Sequence, residues 1–222
     1  MSGQFPPYPG DLECLDRYRS DRRPFFMVRA DPPPAIVLGC GTPAAPDVDL
    51  DNCRADAVPV YRRRGGGGAV VLGPGVVVVS GCFPKVEGRW PDEWSARLVA
   101  VVGTALAAAA RPEPASAGSG PRPELVSRGL GDLCLAPAGD EPERKILGSS
   151  LYLPKDAVLY QASLLYRADL SLITRYLGPP SREPAYRRGR AHADFVANLP
   201  WALDLACLEA RLNAAIPSLL GS

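Results

Sequence analysis

Two short segments of the 222-residue sequence combine residue types that suit chemistry on anions. The first has three arginines followed by four glycines at 62–68, directly before a β-branched run. Consecutive glycines lose much conformational entropy on folding and add no packing, so we expect a ligand or another backbone to approach them closely. Exposed amides beside guanidinium groups bind phosphate or carboxylate. A flexible hairpin tip with solvated arginines is the alternative interpretation.

The second segment reads Arg-Lys-Ile-Leu-Gly-Ser-Ser at 144–150 and places Lys145 in a predicted strand before a turn of small residues. An ammonium group held there would point at a polarised carbonyl or a phosphate, whereas a solvated surface lysine is the alternative. The chain has only two other lysines, Lys85 and Lys155, and each follows a proline in a turn-like segment. Lys145 is therefore the lysine that we expect to carry any chemistry.

Other kinds of site are excluded by what the sequence lacks. The glycine run is not followed by Gly-Lys-Ser/Thr, as in a Walker A loop, or by a helix, as in a dinucleotide fingerprint. His192 is the only histidine, so a site with two histidine ligands is excluded. Because His192 follows the basic stretch 182–190, which itself reads as solvated or as a dock for an acidic partner, we expect this histidine at the surface. No protein metal site is predicted.

The composition limits partners and compartment. Twenty-five basic and 24 acidic residues leave a net charge of +1, which argues against a nucleic-acid partner. No run of eighteen apolar residues exists, so we expect no membrane association. The six cysteines form no CxxC pair, and the first residues are polar and proline-rich instead of signal-like. These features predict a cytoplasmic protein with reduced thiols.

The predicted elements describe one α/β (α+β) domain over residues 1–222. The 22 glycines and 25 prolines are too many for a helical bundle. Gly73-Pro74-Gly75 is typical of a tight hairpin joining two antiparallel strands. Residues 111–123 are poor in apolar side chains and predict a mobile loop. Apolar runs predict strands at 25–29, 35–39, 58–61, 69–72, 76–80, 131–136, 144–153 and 157–167. Helical spacing predicts helices at 11–23, 93–110, 169–177 and 203–212.

Taken together and in this order, the segments resemble the lipoate-protein ligase and octanoyltransferase family, which is related to biotin-protein ligases. Residues 62–70 match the family's two arginines, spacer and Gly-Gly-Gly-Ala-Val. Residues 144–149 match its Arg-Lys-Ile-x-Gly-Ser. Further similarity lies in the Ala-Asp-Leu-Ser at 168–171 and the Val-Ala-Asn-Leu at 196–199. The resemblance extends over roughly residues 11–200.

This resemblance implies a single catalytic domain with a mixed, mainly antiparallel sheet flanked by helices, and no carboxy-terminal accessory domain. It implies an enzyme that activates lipoate or octanoate with ATP and Mg²⁺ and transfers the acyl group to a lysine of a lipoyl carrier. The carrier would be an E2 lipoyl domain or an H-protein-like domain. An accessory ligase subunit is a further possible partner. The loop at 111–123 would close over the intermediate.

The resemblance also assigns roles to residues. Lys145 would be catalytic, bridging the carboxyl oxygen and the phosphate, and Asp132 would lie beside the adenylate. Gly148 and Ser149 would let the acyl chain pass close to the backbone. The acyl carboxylate or phosphate would be held by Arg63, Gly66, Gly67, Gly68 and Ala69.

Two departures from the family pattern, the absent accessory domain of the longer ligases and a replaced histidine step, keep two alternatives open. Many members have His-His-Gly or His-Gly where this chain has Tyr160-Gln161-Ala162. The first alternative is an ATP-independent octanoyl or lipoyl transferase that forms a cysteine thioester, with Cys134 as the candidate nucleophile and Cys40 and Cys82 near the presumed pocket. The second alternative is a non-catalytic protein of the ligase fold that only binds a ligand or partner.

Overall fold

A computed structural model of the protein describes residues 5–111, 122–139 and 141–221. A 3₁₀ turn lies at Ala185–Arg187. The strands are β1 Phe25–Ala30, β2 Ala35–Leu38, β3 Val60–Arg62, β4 Val70–Leu72, β5 Val76–Phe83, β6 Leu125–Arg128, β7 Asp132–Leu135, β8 Arg144–Tyr152 and β9 Val158–Leu165. The helices are α1 Pro9–Asp21, α2 Leu50–Ala55, α3 Pro91–Ala108, α4 Ser171–Tyr176, α5 His192–Phe195, α6 Leu205–Ala214 and α7 Ile216–Leu220.

The strands form two sheets. The larger sheet has six strands in the order β1-β5-β9-β8-β7-β6, and all neighbours are antiparallel. The smaller sheet has the order β3-β2-β4, with β2 parallel to β3 and antiparallel to β4. Mixed, mainly antiparallel sheets flanked by helices confirm the predicted fold class.

One face of the larger sheet is covered by α3, α6 and α7, which share its main hydrophobic cluster. The sequence favours α3 because Pro91 occupies the first turn and the Trp90 backbone N–H donates to the Glu93 carboxylate at 2.9 Å. Its buried side chains recur at helical spacing, as at Trp94, Leu98 and Val102. Each such side chain contributes roughly 1.5–3 kcal/mol when removed from water.

The other face is shared by α1 and the smaller sheet. Cys14 and Leu15 of α1 pack with Cys82 and Leu159 at one end. At the other end the smaller sheet packs on Val76 and Val78 of β5. Its contacting residues are Ala35, Val37 and Leu72. All eight residues of β5 are buried, because this strand lies between the two layers. The space between the sheets is where the candidate site lies.

The two-sheet arrangement corrects several sequence predictions. Gly73-Pro74-Gly75 does not close a hairpin, because β4 and β5 belong to different sheets and the chain crosses between layers there. The strands predicted at 25–29 and 35–39 form β1 and β2, which likewise belong to different sheets. The partly buried strand β6 was not predicted. The predicted loop at 111–123 lies outside the described residues except at 111, 122 and 123.

Spanning a membrane requires a helix to be both long enough and apolar enough. Within residues 5–111, 122–139 and 141–221, none meets both requirements.

Candidate active site

A cavity of about 890 Å³ lies between the two sheets. Part of its wall is apolar and comes from both sheets and α4, through Val37, Val70, Val78, Leu165 and Ile173. The polar part is formed by the glycine run on one side and by β8 on the other. A cavity of this size that combines an apolar wall with polar groups matches the usual character of a small-molecule site.

The glycine run is shaped by Arg63, which lies at its start. The Arg63 guanidinium is buried and donates to the carbonyl oxygens of Val37 at 3.1 Å, Gly66 at 2.7 Å and Gly68 at 2.8 Å. Burial lowers the pKa of Arg63 to about 10 while nearby Asp11 opposes the shift, so the group stays charged at neutral pH. Arg63 therefore organises the loop with most of its donors and lines the cavity with a fixed charge.

A second loop fastens the glycine run from outside. The Cys40 N–H donates to the Gly65 carbonyl at 2.9 Å, and the Thr42 hydroxyl donates to the Gly67 carbonyl at 2.7 Å. Gly67 has a φ of +88°, which only glycine adopts easily. A Cβ at Gly39 would lie 1.8 Å from the Gly67 oxygen, so the contact depends on glycine. The four-glycine run is thus an ordered turn and not a free hairpin tip.

Two of the predicted glycines remain open to a ligand. A Cβ at Gly66 or Gly68 would meet nothing within 4 Å, although both residues line the cavity. Ala69, which follows them, is half-buried and also lines it. A ligand can therefore approach the backbone of this edge closely, as predicted for a glycine-rich anion site.

Lys145 and Asp132 form an ion pair on the opposite wall. The Lys145 Nζ is 2.7 Å from Asp132 Oδ1, and the two side chains keep 26% and 17% of their exposure. A Cβ at Gly148 would lie 2.8 Å from the same Nζ, so glycine lets the lysine fold back over its own strand. The Ser149 hydroxyl instead donates to the Gly131 carbonyl at 2.8 Å and holds the turn before Asp132. The structure thus brings Lys145, Asp132, Gly148 and Ser149 together.

A third residue, Tyr186, which the sequence did not suggest, binds the carboxylate of this ion pair. The Tyr186 hydroxyl donates to Asp132 Oδ2 at 2.6 Å, so Tyr186 and Lys145 share the two oxygens of one carboxylate. Burial and the negative charge of Asp132 raise the pKa of Tyr186, which keeps the phenol protonated as a donor. No sequence pattern marks Tyr186, because 54 positions separate it from Asp132.

The basic stretch at 182–190 holds Tyr186 in place. Arg187 is buried, and its guanidinium carbon lies 4.9 Å from the centre of the Phe195 ring. Arg190 donates to the carbonyls of Glu143 at 2.7 Å and Tyr186 at 3.0 Å. These two arginines are structural, contrary to the expectation of solvated or carrier-docking side chains.

His192 also differs from its prediction. It is half-buried and lines the cavity, and its Nε2 lies 3.0 Å from the Gly178 carbonyl. Because a carbonyl only accepts, Nε2 carries the proton. Burial lowers the pKa of His192, so the ring is neutral at pH 7.

The three cysteines considered as nucleophiles differ in access. Cys134 is fully buried on β7, and burial raises the pKa of its thiol. Cys82 is also buried, and burial raises its pKa to about 12. A reactive thiol needs the opposite conditions. Cys40 is exposed and lines the cavity.

The sequence and the fold are similar to those of known proteins. The family model described as lipoyl protein ligase A/B catalytic domain matches residues 11–214. A structure of a bipartite lipoate protein ligase and its E2 lipoyl domain from Thermoplasma acidophilum is 21% identical, covers 95% of this chain and 78% of its own, and has a TM-score of 0.67. The structure of a putative lipoate protein ligase from T. acidophilum with bound lipoic acid is 21% identical, covers 99% of this chain and 86% of its own, and has a TM-score of 0.65. The structure of a lipoate-protein ligase A bound with ATP is 22% identical, covers 99% of this chain and 86% of its own, and has a TM-score of 0.61.

Proposed function

This chain belongs to the lipoyl protein ligase A/B catalytic domain family, and on that premise we propose that it activates lipoate or octanoate with ATP and transfers the acyl group to a lysine of a lipoyl carrier domain. The observation that carries the proposal is the place of Lys145. Its ammonium is 2.7 Å from Asp132 on the wall of a cavity with a glycine-rich edge and an apolar wall. Such a cavity suits an acid with an apolar chain.

The proposed reaction has two steps. First, a carboxylate oxygen of the acid attacks the α-phosphorus of ATP, and pyrophosphate leaves. Second, the neutral amine of the carrier lysine attacks the acyl carbon, AMP leaves with the electron pair of the broken bond, and the amine loses a proton. Negative charge develops on the departing pyrophosphate in the first step, and on the acyl oxygen and the departing AMP in the second, so a fixed cation beside these atoms stabilises the transition states.

Lys145 is the group proposed to supply that cation. An ammonium has three N–H donors, and Asp132 Oδ1 takes one, which leaves two for the acyl oxygen and a phosphate oxygen. Tyr186 fixes the other oxygen of Asp132 and thereby the direction of the pair. We therefore assign Lys145 as the catalytic residue, Asp132 as its anchor and Tyr186 as a positioning residue.

The glycine run is proposed to bind the anionic part of the ligand. Its open positions, Gly66 and Gly68, allow backbone contact, while Arg63 holds the loop and adds positive charge. Mg²⁺ would be bound chiefly by the nucleotide phosphates, as is usual for this ion. Among the described residues, no cluster of three or more His, Cys, Asp and Glu side chains is arranged to hold a metal.

The carrier is proposed to be an E2 lipoyl domain or an H-protein-like domain. Support comes from the similar T. acidophilum ligase, whose structure is described together with its E2 lipoyl domain. That ligase is also described as bipartite, and a companion ligase subunit is proposed as a further partner of this chain.

One observation keeps the ATP-independent transferase as a second candidate. Cys40 is exposed and lines the cavity, unlike the predicted nucleophile Cys134. In that mechanism a thiolate attacks the acyl carbon of an acyl-carrier thioester, the carrier thiol leaves, and the enzyme thioester then reacts with the lysine of the lipoyl domain. Cys40 would be the thiol in position for such a step.

The test is the acylation of a purified lipoyl domain, read as a mass increase. One arm supplies free lipoate or octanoate with Mg-ATP, with and without a companion ligase subunit, and the other supplies octanoyl-carrier without ATP. Product in the first arm supports the ligase. Product only in the second arm, lost in Cys40→Ser or Cys134→Ser, establishes the transferase instead.

A further inference from the structure

Two of the four arginines in the segment 181–190 take no part in the internal contacts of the protein. Arg182 and Arg188 are exposed, and neither side chain has a hydrogen-bond or ion-pair partner among the described residues. Arg187 and Arg190, in contrast, donate to carbonyl groups of the protein. The segment therefore keeps two cations at the surface for a partner to bind.

The backbone that carries these two arginines is held from both sides. The carboxylate of Asp47 accepts from the Ser181 N–H at 2.9 Å, and that of Glu183 accepts from the Gly189 N–H at 3.0 Å. Glu183 also forms an ion pair with the buried Arg187 at 3.6 Å. A surface segment that is already ordered loses less conformational entropy when a partner binds to it.

The turn at Arg188 uses an unusual residue for its backbone conformation. Arg188 has a φ of +54°, and the next residue, Gly189, has a φ of +69°. Glycine adopts this left-handed conformation freely and asparagine adopts it more readily than other residues, whereas an arginine there costs free energy. Residues held in such conformations are concentrated at functional sites. The arginine therefore contributes a charge to this turn and not a better fit.

The acidic side chains on this side of the cavity are already bound. Those that line the cavity are Asp47, Asp132 and Glu183. Asp47 and Glu183 accept from the segment itself, and Asp132 binds Lys145. With four arginines and one glutamate, the segment 181–190 has a net charge of +3. An anionic partner is favoured at such a surface.

The position of Arg188 indicates the size of that partner. Arg182 lines the edge of the cavity, whereas Arg188 is not among the lining residues. Arg188 lies two residues, or at most about 7 Å of chain, from Tyr186. The Tyr186 hydroxyl binds Asp132, the partner of Lys145. A molecule that reaches both Arg188 and the reactive end of the cavity therefore extends beyond it, as a carrier domain with its lysine inserted does.

We propose that Arg182 and Arg188 form a docking surface for the carrier domain and bind carboxylates next to its acceptor lysine. This inference rests on the proposed function and adds the chemistry of the partner, a small domain that is acidic beside the lysine to be acylated. Charges at the rim of an interface chiefly accelerate the encounter and orient the partner, and salt weakens them. Activation of the acid by ATP does not involve these two side chains.

The experiment measures the affinity of a fluorescently labelled lipoyl domain by anisotropy, which needs no turnover. The probe is an E2 lipoyl domain with carboxylates beside its acceptor lysine. The double variant carries Arg182→Gln and Arg188→Asn, because asparagine suits the left-handed backbone at 188. The control is Arg22→Asn, since Arg22 is also exposed, has a φ of +59° and lies outside the cavity lining. Lipoate-dependent exchange of pyrophosphate into ATP is measured in parallel, without any carrier.

At about 20 mM salt we expect the double variant to bind the lipoyl domain about tenfold more weakly than the wild type, with a difference below about twofold at about 300 mM. The control should bind like the wild type, and exchange should be unchanged in both variants. A lipoyl domain whose flanking carboxylates are changed to amides should bind the wild type and the double variant equally.

Three results would overturn the inference. They are equal affinity of the wild type and the double variant for the acidic lipoyl domain, no binding of that domain to the wild type, and loss of exchange in the double variant, which would assign the arginines to the nucleotide. Each leaves the proposed function intact as long as the wild type shows exchange. Absence of exchange in the wild type would instead contradict the ligase, while weaker binding by the double variant would still support the docking surface.

Discussion

The glycine run and the Lys145 wall face each other across one cavity, yet their polar groups are used in opposite ways. Arg63 directs its guanidinium at three carbonyl oxygens of its own surroundings. Lys145 has one partner at 2.7 Å and keeps a quarter of its exposure. The first cation therefore maintains the shape of the site, and the second is available to a ligand. The more conspicuous sequence feature is the scaffold, and the single lysine is the proposed reactive group.

The strongest test of this contrast removes the reactive cation. Lys145→Ala is expected to lower carrier acylation about 10³-fold, because the transition state loses its fixed charge. Stability should change little, since Asp132 still accepts from Tyr186. Activity is measured by carrier mass and folding by the thermal midpoint. Lys155→Ala is the control, and activity of Lys145→Ala near that of the control would contradict the assignment.

Removal of the scaffold cation should show the opposite pattern. Arg63→Met leaves the carbonyls of Val37, Gly66 and Gly68 without their donor, at an expected cost of about 3 kcal/mol in the free energy of unfolding. Arg64→Met, at an exposed neighbouring position, is the control. Urea denaturation measures both. If Arg63→Met were as stable as the control and lost only ligand binding, Arg63 would belong with the reactive wall.

A methyl group tests how finely the lysine is placed. In Gly148→Ala the new Cβ would lie 2.8 Å from Nζ, so the ammonium must move. We expect kcat to fall about 30-fold, because small misplacements of a catalytic group are costly. Gly103→Ala on α3 is the matched control, since its Cβ makes only ordinary contact with Leu133. Equal kcat values for the two variants would show that the folded-back lysine is not the active arrangement.

The smallest effect concerns the positioning residue. Tyr186→Phe keeps the ring beside Phe195, 5.3 Å between centres, but removes the donor to Asp132. We expect kcat to fall about tenfold with little change in the KM for lipoate, as for a loss of orientation. Tyr152→Phe, outside the cavity wall, serves as the control. A rise in KM with an unchanged kcat would instead place Tyr186 in ligand binding.

The same two walls show what a sequence can predict. The β-branched runs located the strands around the site, and the resemblance of the glycine and lysine segments to the ligase family implied which residues would meet. Local signals could not tell that Gly73-Pro74-Gly75 crosses between sheets, because the same residues form hairpins. His192 reaches the cavity and Tyr186 reaches Asp132 through contacts distant in sequence, within a segment that has no periodicity.

The most direct test of the central proposal is the lipoate-dependent exchange of labelled pyrophosphate into ATP, which reports formation of the acyl-adenylate without any carrier. We expect exchange in the wild type, in Cys40→Ser and in Cys134→Ser, and its loss in Lys145→Ala. Absence of exchange in the wild type, together with octanoyl transfer from a carrier thioester that needs no ATP and is lost in Cys40→Ser, would contradict the proposed ligase mechanism.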